Sequence, residues 1–362
     1  MIDFRFHLVS IASVFLALAV GIVLGAGPLK GTLGDTLANE VSQLRSDADS
    51  LRSDLATAQA GEAARDDVIT ALRPRSIDGL LTGSSVSLLA LPGSPDTAVE
   101  IARESLTESG ATIGAEVRLG ASWTSDDPPE VTDRTAAAAE LRELLAGDLP
   151  VGIAPERVIA LALGWALAID PTAGEEGSDG SASAADQSTE TPTTPTDSAD
   201  DLTDDPGQAG EEAIGGEEGT QDGAGARILE ILADNGLLTV EGEEAPARTD
   251  GVVVVTPVTA DDSEVTMTEW TDLIAGIEEA GAVVLAGESS GDADPETHLI
   301  EAVRNSAELS VRVSTVDHLT SPVGRVALPF VVVEQLAGRS GHYGVLDSAA
   351  QLFPPLPENA AP

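Results

Sequence analysis

The chain has 362 residues and a formal net charge of −44, with 62 acidic against 18 basic side chains. That balance argues against nucleic acid and against electrostatic attraction to anionic lipid, both of which would repel it. It holds no cysteine, which removes thiol catalysis and disulfide stapling and is compatible with an oxidising compartment.

Residues 1–27 read as a membrane anchor. Leu8 to Ala26 is a run of 19 residues without a charge. At helical rise it spans roughly 28 Å, about the hydrocarbon thickness of a bilayer. Ser10 and Ser13 can bond back to their own helix. A cleaved signal peptide is the alternative, since Arg5 and His7 form a short basic flank and Gly25 and Gly27 are small. Signal cores usually run about 7–15 residues, so the length favours a retained span. A short tail ahead of a first span usually stays cytoplasmic, which puts the rest of the chain outside, in the cell envelope.

Gly27, Pro28, Gly31 and Gly34 are expected to interrupt the helix at the bilayer surface. Residues 35–73 then read as a coiled coil. Leu37, Val41, Leu44, Ala48, Leu51, Leu55 and Ala58 alternate at spacings of four and three, a d/a seam flanked by Ser, Asp, Arg and Gln. The pattern weakens at Gly61, Glu62 and Arg65, resumes at Ile69 and Leu72, and Pro74 marks the stop. The helix could pack onto its own C-terminal domain, but a two-position stripe is narrow for that and favours a second helix, from an identical chain or another protein. The helix would reach roughly 54 Å along its axis.

From 77 to 344 short apolar runs alternate with longer mixed segments. Val86–Leu91, Thr112–Leu119, Val252–Thr256, Ala282–Ala286 and Ser310–Val316 read as strands, and Val252–Thr256 as the central one. Thr97–Ser109, Thr135–Ala146, Pro155–Ile169, Arg227–Asn235, Thr268–Ala280, Glu296–Ser306 and Val323–Leu336 read as helices. Such alternation predicts an α/β domain with a mainly parallel sheet in Rossmann-like layers. Within it, 170–224 reads as a disordered acidic insert: Asp170 to Asp222 holds 16 Asp or Glu and no Lys or Arg. Residues 345–362 read as a Pro-rich tail.

The chain carries few motifs of recognisable chemistry. Pro92-Gly93-Ser94-Pro95-Asp96 lacks the glycine spacing of a dinucleotide loop, and no Walker loop occurs. Gly287 to Asp292 lies where an α/β fold places ligands, but its serines have no matched histidine. The histidines are His7, His298, His318 and His342, none four residues from another. Asp317 beside His318, and His342 near Tyr343, are the candidate metal ligands, each more readily explained as a hydrogen-bonded structural group. The protein reads as non-enzymatic, with no cofactor that its residues require.

Phe6-His7-Leu8-Val9-Ser10, Val14 to Ala19 and Gly21-Ile22-Val23-Leu24-Gly25 resemble the start of the actinobacterial family named for mycobacterial copper-transport protein B. Ser314-Thr315-Val316-Asp317, Gly324-Arg325, Leu336 and Gly341-His342-Tyr343-Gly344 resemble its closing motifs. The resemblance implies copper transport and, by the family's label, an outer-membrane location. Some similar members are linked instead to a membrane partner and to control of a peptidoglycan hydrolase in cell separation. One apolar span encloses no pore by itself, and soft copper ligands are scarce: two methionines and no cysteine. The residues therefore favour a scaffold, paired with itself or with a coiled-coil partner.

Overall fold

The computed structural model describes residues 4–26, 28–145, 149–150, 152–168, 218–241, 248–257, 264–288 and 298–355. The chain divides into two compact units, Met1–Val68 and Ile69–Pro362.

Helix α1 (Phe4–Ala26) carries the apolar run. Its stretch Phe4–Leu24 has a mean hydropathy of 2.4, is long and apolar enough to cross a membrane, and is not buried within the chain. Ser13 Oγ donates back to Val9 O at 2.8 Å, which satisfies its hydroxyl inside the helix. Helix α2 (Pro28–Ile77) follows after a single residue. The expected interruption is therefore narrower than the glycines suggest. Gly31 and Gly34 lie inside α2, and Pro28 opens it, where a missing N–H costs nothing. Pro74 does not end the helix either. It stands in the last turn, and α2 runs on to Ile77 because a proline there removes only one late backbone bond.

In the second unit α3 (Asp96–Glu108) connects β1 (Ser85–Ala90) to β2 (Thr112–Leu119). Then come α4 (Pro128–Leu144), α5 (Pro155–Leu167), α6 (Glu218–Asp234), β3 (Leu238–Glu241) and β4 (Gly251–Val255). The chain closes with α7 (Glu264–Glu278), β5 (Ala282–Ala286), α8 (Leu299–Asn305), β6 (Ser314–Val316), α9 (Pro322–Leu336) and β7 (His342–Tyr343). The sheet order is β3-β2-β1-β4-β5-β6-β7. All pairings are parallel except β2 with β3.

Strand alternation divides the core into two faces. Leu89, Val117, Val252, Val254 and Leu285 join the side chains of α4 to α8, while Leu88, Val253, Val255 and Val284 join those of α3 and α9. This is why β4 is an unbroken apolar run: all five residues are buried, with helices over both sides.

Other expectations differ from what is found. The strand expected over Ser310–Val316 is only Ser314–Val316, preceded by a 3-10 turn at Leu309–Val311. Turn hydrogen bonds from Ser310, Arg312 and Val313 hold the backbone there, and they override the β-branched pattern. Strand β3 has no counterpart among the expected strands, since its four residues are too short to show alternation. The acidic insert 170–224 lies outside the described residues up to 217, and its last residues belong to α6, which begins at Glu218. The first part of the expected tail is also tied back: Gly344 N–H donates to Gln351 O at 2.9 Å, and Phe353 packs edge-on against Phe330.

Candidate functional site

At the end of β6 the chain reads Ser314-Thr315-Val316-Asp317-His318, and Asp317 leaves the strand with its side chain fully buried. Arg304, in the last turn of α8, meets it. Its Nη1 donates to Asp317 Oδ2 at 2.9 Å and to Ser348 Oγ at 3.2 Å. Nε donates to Thr315 Oγ1 at 2.8 Å, and Nη2 to Tyr343 O at 3.0 Å. The other carboxylate oxygen, Asp317 Oδ1, accepts from Val345 N–H at 2.7 Å. One buried ion pair thus ties α8, β6, β7 and the returning segment 344–348 together. Burial pulls the Arg304 guanidinium below its ordinary range, and the Asp317 carboxylate pulls it back up.

His342 lies on the edge of the same knot. Its Nε2 is 3.0 Å from Ser310 O, and its Nδ1 is 3.0 Å from Thr315 Oγ1. A carbonyl can only accept, so Nε2 carries the proton and Nδ1 accepts from the Thr315 hydroxyl, which itself accepts from Arg304. Both ring nitrogens are occupied by the neutral form. Burial and the nearby Arg304 charge lower the His342 pKa, while the bond to Ser310 O opposes them. Between the folded and the ordinary pKa the unfolded chain binds more protons, so stability is complete above about 6.5 and falls as pH drops below it. We expect His342→Gln to flatten that acid limb of urea-unfolding free energy; an unchanged slope would remove His342 as its source.

His318 is adjacent to Asp317 but separate from this network. Its Nδ1 stands 3.8 Å from Asp317 Oδ1 and is buried without a hydrogen-bond partner. Its backbone takes φ 71°, a left-handed conformation unusual for a non-glycine residue. The following turn fixes it: Ser321 N–H and Oγ–H donate to His318 O, and Ser321 Oγ caps α9 by accepting from Gly324 N–H. A Cβ at Gly324 would overlap the His318 carbonyl, and one at Gly344 would overlap the Asp317 carboxylate. The closing motifs therefore converge in space, and their glycines are demanded by close approach.

Asp317 and His342 thus meet around Arg304 and Thr315, each with its acceptor atoms committed. Among the described residues no three His, Asp or Glu side chains converge as a metal cluster would require. Reasoning from sequence passed over Arg304 and Ser348. The available signal was a basic residue inside an apolar helix, beside Leu299, Ile300 and Val303, in a chain poor in cations. Tyr343 donates to Glu334 Oε2 at 2.5 Å, and its own phenol is pushed well up by burial and by that carboxylate. Of the loop Gly287 to Asp292, residues from 289 onward lie outside the described ones. After β1, Ser94 Oγ donates to Val255 O at 2.7 Å, which ties the segment 92–96 to the end of β4.

The second candidate surface is the seam of α2. Leu37, Val41, Leu44, Leu51 and Leu55 are all exposed, from 44% at Val41 to 69% at Leu51. Ala48 is half-buried and Ala58 exposed. Further on, Ile69 is used differently: it packs with Ile77, Val326 and Phe330 of its own unit. Among the described residues the exposed seam runs from Leu37 to Ala58, and Leu72 beyond Ile69 is exposed as well.

One apolar helix of spanning length, a long helix with an exposed apolar stripe and an α/β unit fit a membrane-anchored protein of the cell envelope. The chain belongs to the MctB family, described as copper transport outer membrane protein, whose sequence model matches residues 1–354. It is similar to the copper transporter MctB of Mycobacterium bovis, with 32% identity over 119 residues, 33% of this chain and 38% of that protein. The Mycobacterium tuberculosis H37Rv protein of that name gives the same figures, and that of Mycobacterium leprae is 31% identical over 119 residues. The matched stretch thus spans 38% of the length of these relatives.

Proposed function

We propose that this protein is a non-enzymatic scaffold of the cell envelope, held in the membrane by α1 and joined to a partner helix by the seam of α2. In this reading the N-terminus is cytoplasmic and the α/β unit is outside. The observation that carries it is the stripe Leu37 to Leu55, five large apolar side chains left in solvent at d/a spacing. An exposed stripe of that length is more than scattered surface leucines need explaining. We read the order β2-β1-β4-β5-β6, helices on both faces, as a doubly wound, Rossmann-like sheet used as a rigid presented body. The alternative that the resemblance implies is a regulator of cell separation that activates a peptidoglycan hydrolase together with a membrane partner.

The test is the full-length Leu44→Asp, Leu51→Asp variant. It should reach normal abundance and insert normally, yet fail to retain the proteins captured with the native chain from solubilised membranes. Retention of those proteins would reduce the seam to a spacer and end the scaffold reading.

A second reading, copper as cargo, is favoured by the family description. Its ligands would have to come from Asp317, His318 or His342, and Met267 is the one thioether among the described residues. Cu(I) prefers soft donors, and two of those three side chains are already hydrogen-bonded in the Arg304 knot. We expect the second unit to bind Cu(I) no more tightly than an acidic control protein in competition with a chelator. Tight one-to-one binding, lost on His318→Ala, would favour the copper reading instead.

A further inference from the structure

The seam of α2 carries a second pattern beside its apolar stripe. With Leu37, Leu44 and Leu51 at d and Val41, Ala48 and Leu55 at a, the g positions are Glu40, Asp47 and Asp54. The e positions in the same stretch include Arg45 and Arg52. All five charged side chains are exposed. One flank of the stripe is therefore uniformly acidic and the other basic.

That separation has a direction built into it. In two parallel helices a g residue faces the e residue five positions further along the partner, and such pairs set partner choice and orientation. Glu40 would then face the partner's Arg45, and Asp47 the partner's Arg52, each pair occurring twice by symmetry. Antiparallel packing sets g beside g and e beside e, so acid would meet acid and arginine would meet arginine along the whole seam. Register is constrained by the apolar layers. In register all seven layers from Leu37 to Ala58 are apolar on apolar, whereas a parallel slip of one heptad leaves five and sets Leu55 against Glu62 and Ala58 against Arg65. In the single chain Arg52 turns back to Asp49 at 2.7 Å, an exposed pair within its own helix that is readily exchanged. An anchor at the same end of every chain also puts the helices of neighbouring copies in one direction.

We propose that α2 joins two copies of this chain as a parallel, in-register homodimer, selected by Glu40 with Arg45 and Asp47 with Arg52 across the two flanks. The proposal rests on the seam being a pairing surface and names its occupant.

The absence of native cysteine makes the test direct. Leu37→Cys, Leu44→Cys and Leu51→Cys are made singly in the full chain and oxidised in native membranes. A parallel, in-register pair brings each d residue against its own copy, so all three variants should run as disulfide-linked dimers on non-reducing gels. An antiparallel pair brings a residue against its own copy only at the dyad, so dimers from at most one of the three would overturn the proposal. Dimers from none would overturn it too, in favour of a slipped register or a different protein. In the Leu44→Cys background, Arg45→Glu with Arg52→Glu should lower the dimer yield about tenfold through like-charge repulsion. Co-expression with a chain carrying Leu44→Cys, Glu40→Arg and Asp47→Arg should restore it as a mixed dimer. A yield unaffected by the charge reversals would remove the selection by charge. The two readings fail separately. If Leu44→Asp, Leu51→Asp loses its captured proteins while no cysteine links, pairing stands and the homodimer falls. If that variant loses nothing, pairing itself falls.

Discussion

Arg304→Ala is expected to destabilise the α/β unit by about 3–5 kcal/mol, the cost of stranding one member of a buried ion pair. The Arg304 and Asp317 side chains are 2% and 0% exposed, so solvent does not screen what is left behind. Alanine removes four donors at once. Asp317 Oδ2 loses its cation, Thr315 Oγ1 and Ser348 Oγ lose N–H partners, and the Tyr343 carbonyl loses its only side-chain donor named in this knot. Arg304→Lys should recover only part, because an ammonium restores the charge but not the fork that reaches three elements. The combination of Arg304→Met with Asp317→Leu should be more stable than Arg304→Ala alone, since no charge is then stranded. Urea unfolding of the second unit reads all three as midpoint shifts at constant slope. A loss below about 0.5 kcal/mol for Arg304→Ala, the size of an ordinary surface substitution, would mean that the knot is not what closes this end of the sheet.

The seam predicts a loss of comparable size but in association rather than folding. Each leucine contributes roughly 1.5–3 kcal/mol when its apolar area is covered, and a carboxylate in its place must also be desolvated. Leu44→Asp with Leu51→Asp changes two adjacent d layers, and in a homodimer both chains change together, so pairing should vanish at cellular concentrations. The effect should be confined to pairing. The unit from Ile69 onward has its own core on both faces of its sheet, and its unfolding midpoint should move by less than about 0.5 kcal/mol. Cross-linking in membranes and urea unfolding of the same variant measure the two effects. Joint loss of pairing and folding would show that the seam serves the core of the domain, the alternative that a two-position stripe disfavours.

What the sequence alone determines is whatever depends on period and length. A charge-free run of 19 residues, a 4-3 heptad repeat and a valine run announce α1, the seam of α2 and β4 because each is written in length or spacing alone. The same spacing carries the order of acid and arginine on the two flanks of the seam. Composition fails where turn bonds or packing outvote it. The Ser310–Val316 run has the composition of a strand, yet turn bonds following α8 hold its first two residues in a 3-10 turn and leave only Ser314–Val316 as strand. Pro74 looks like a stop, yet α2 continues to Ile77, which is buried with Val326 and Phe330. Only the tertiary structure decides the roles of Asp317 and His342. Asp317 meets Arg304, which also bonds Ser348 from 44 positions away, and His342 joins them through the Thr315 hydroxyl. Periodicity is a one-dimensional signal of a face, whereas a buried charge is satisfied by whichever distant group the fold brings within 3 Å, and no spacing in the chain encodes that meeting.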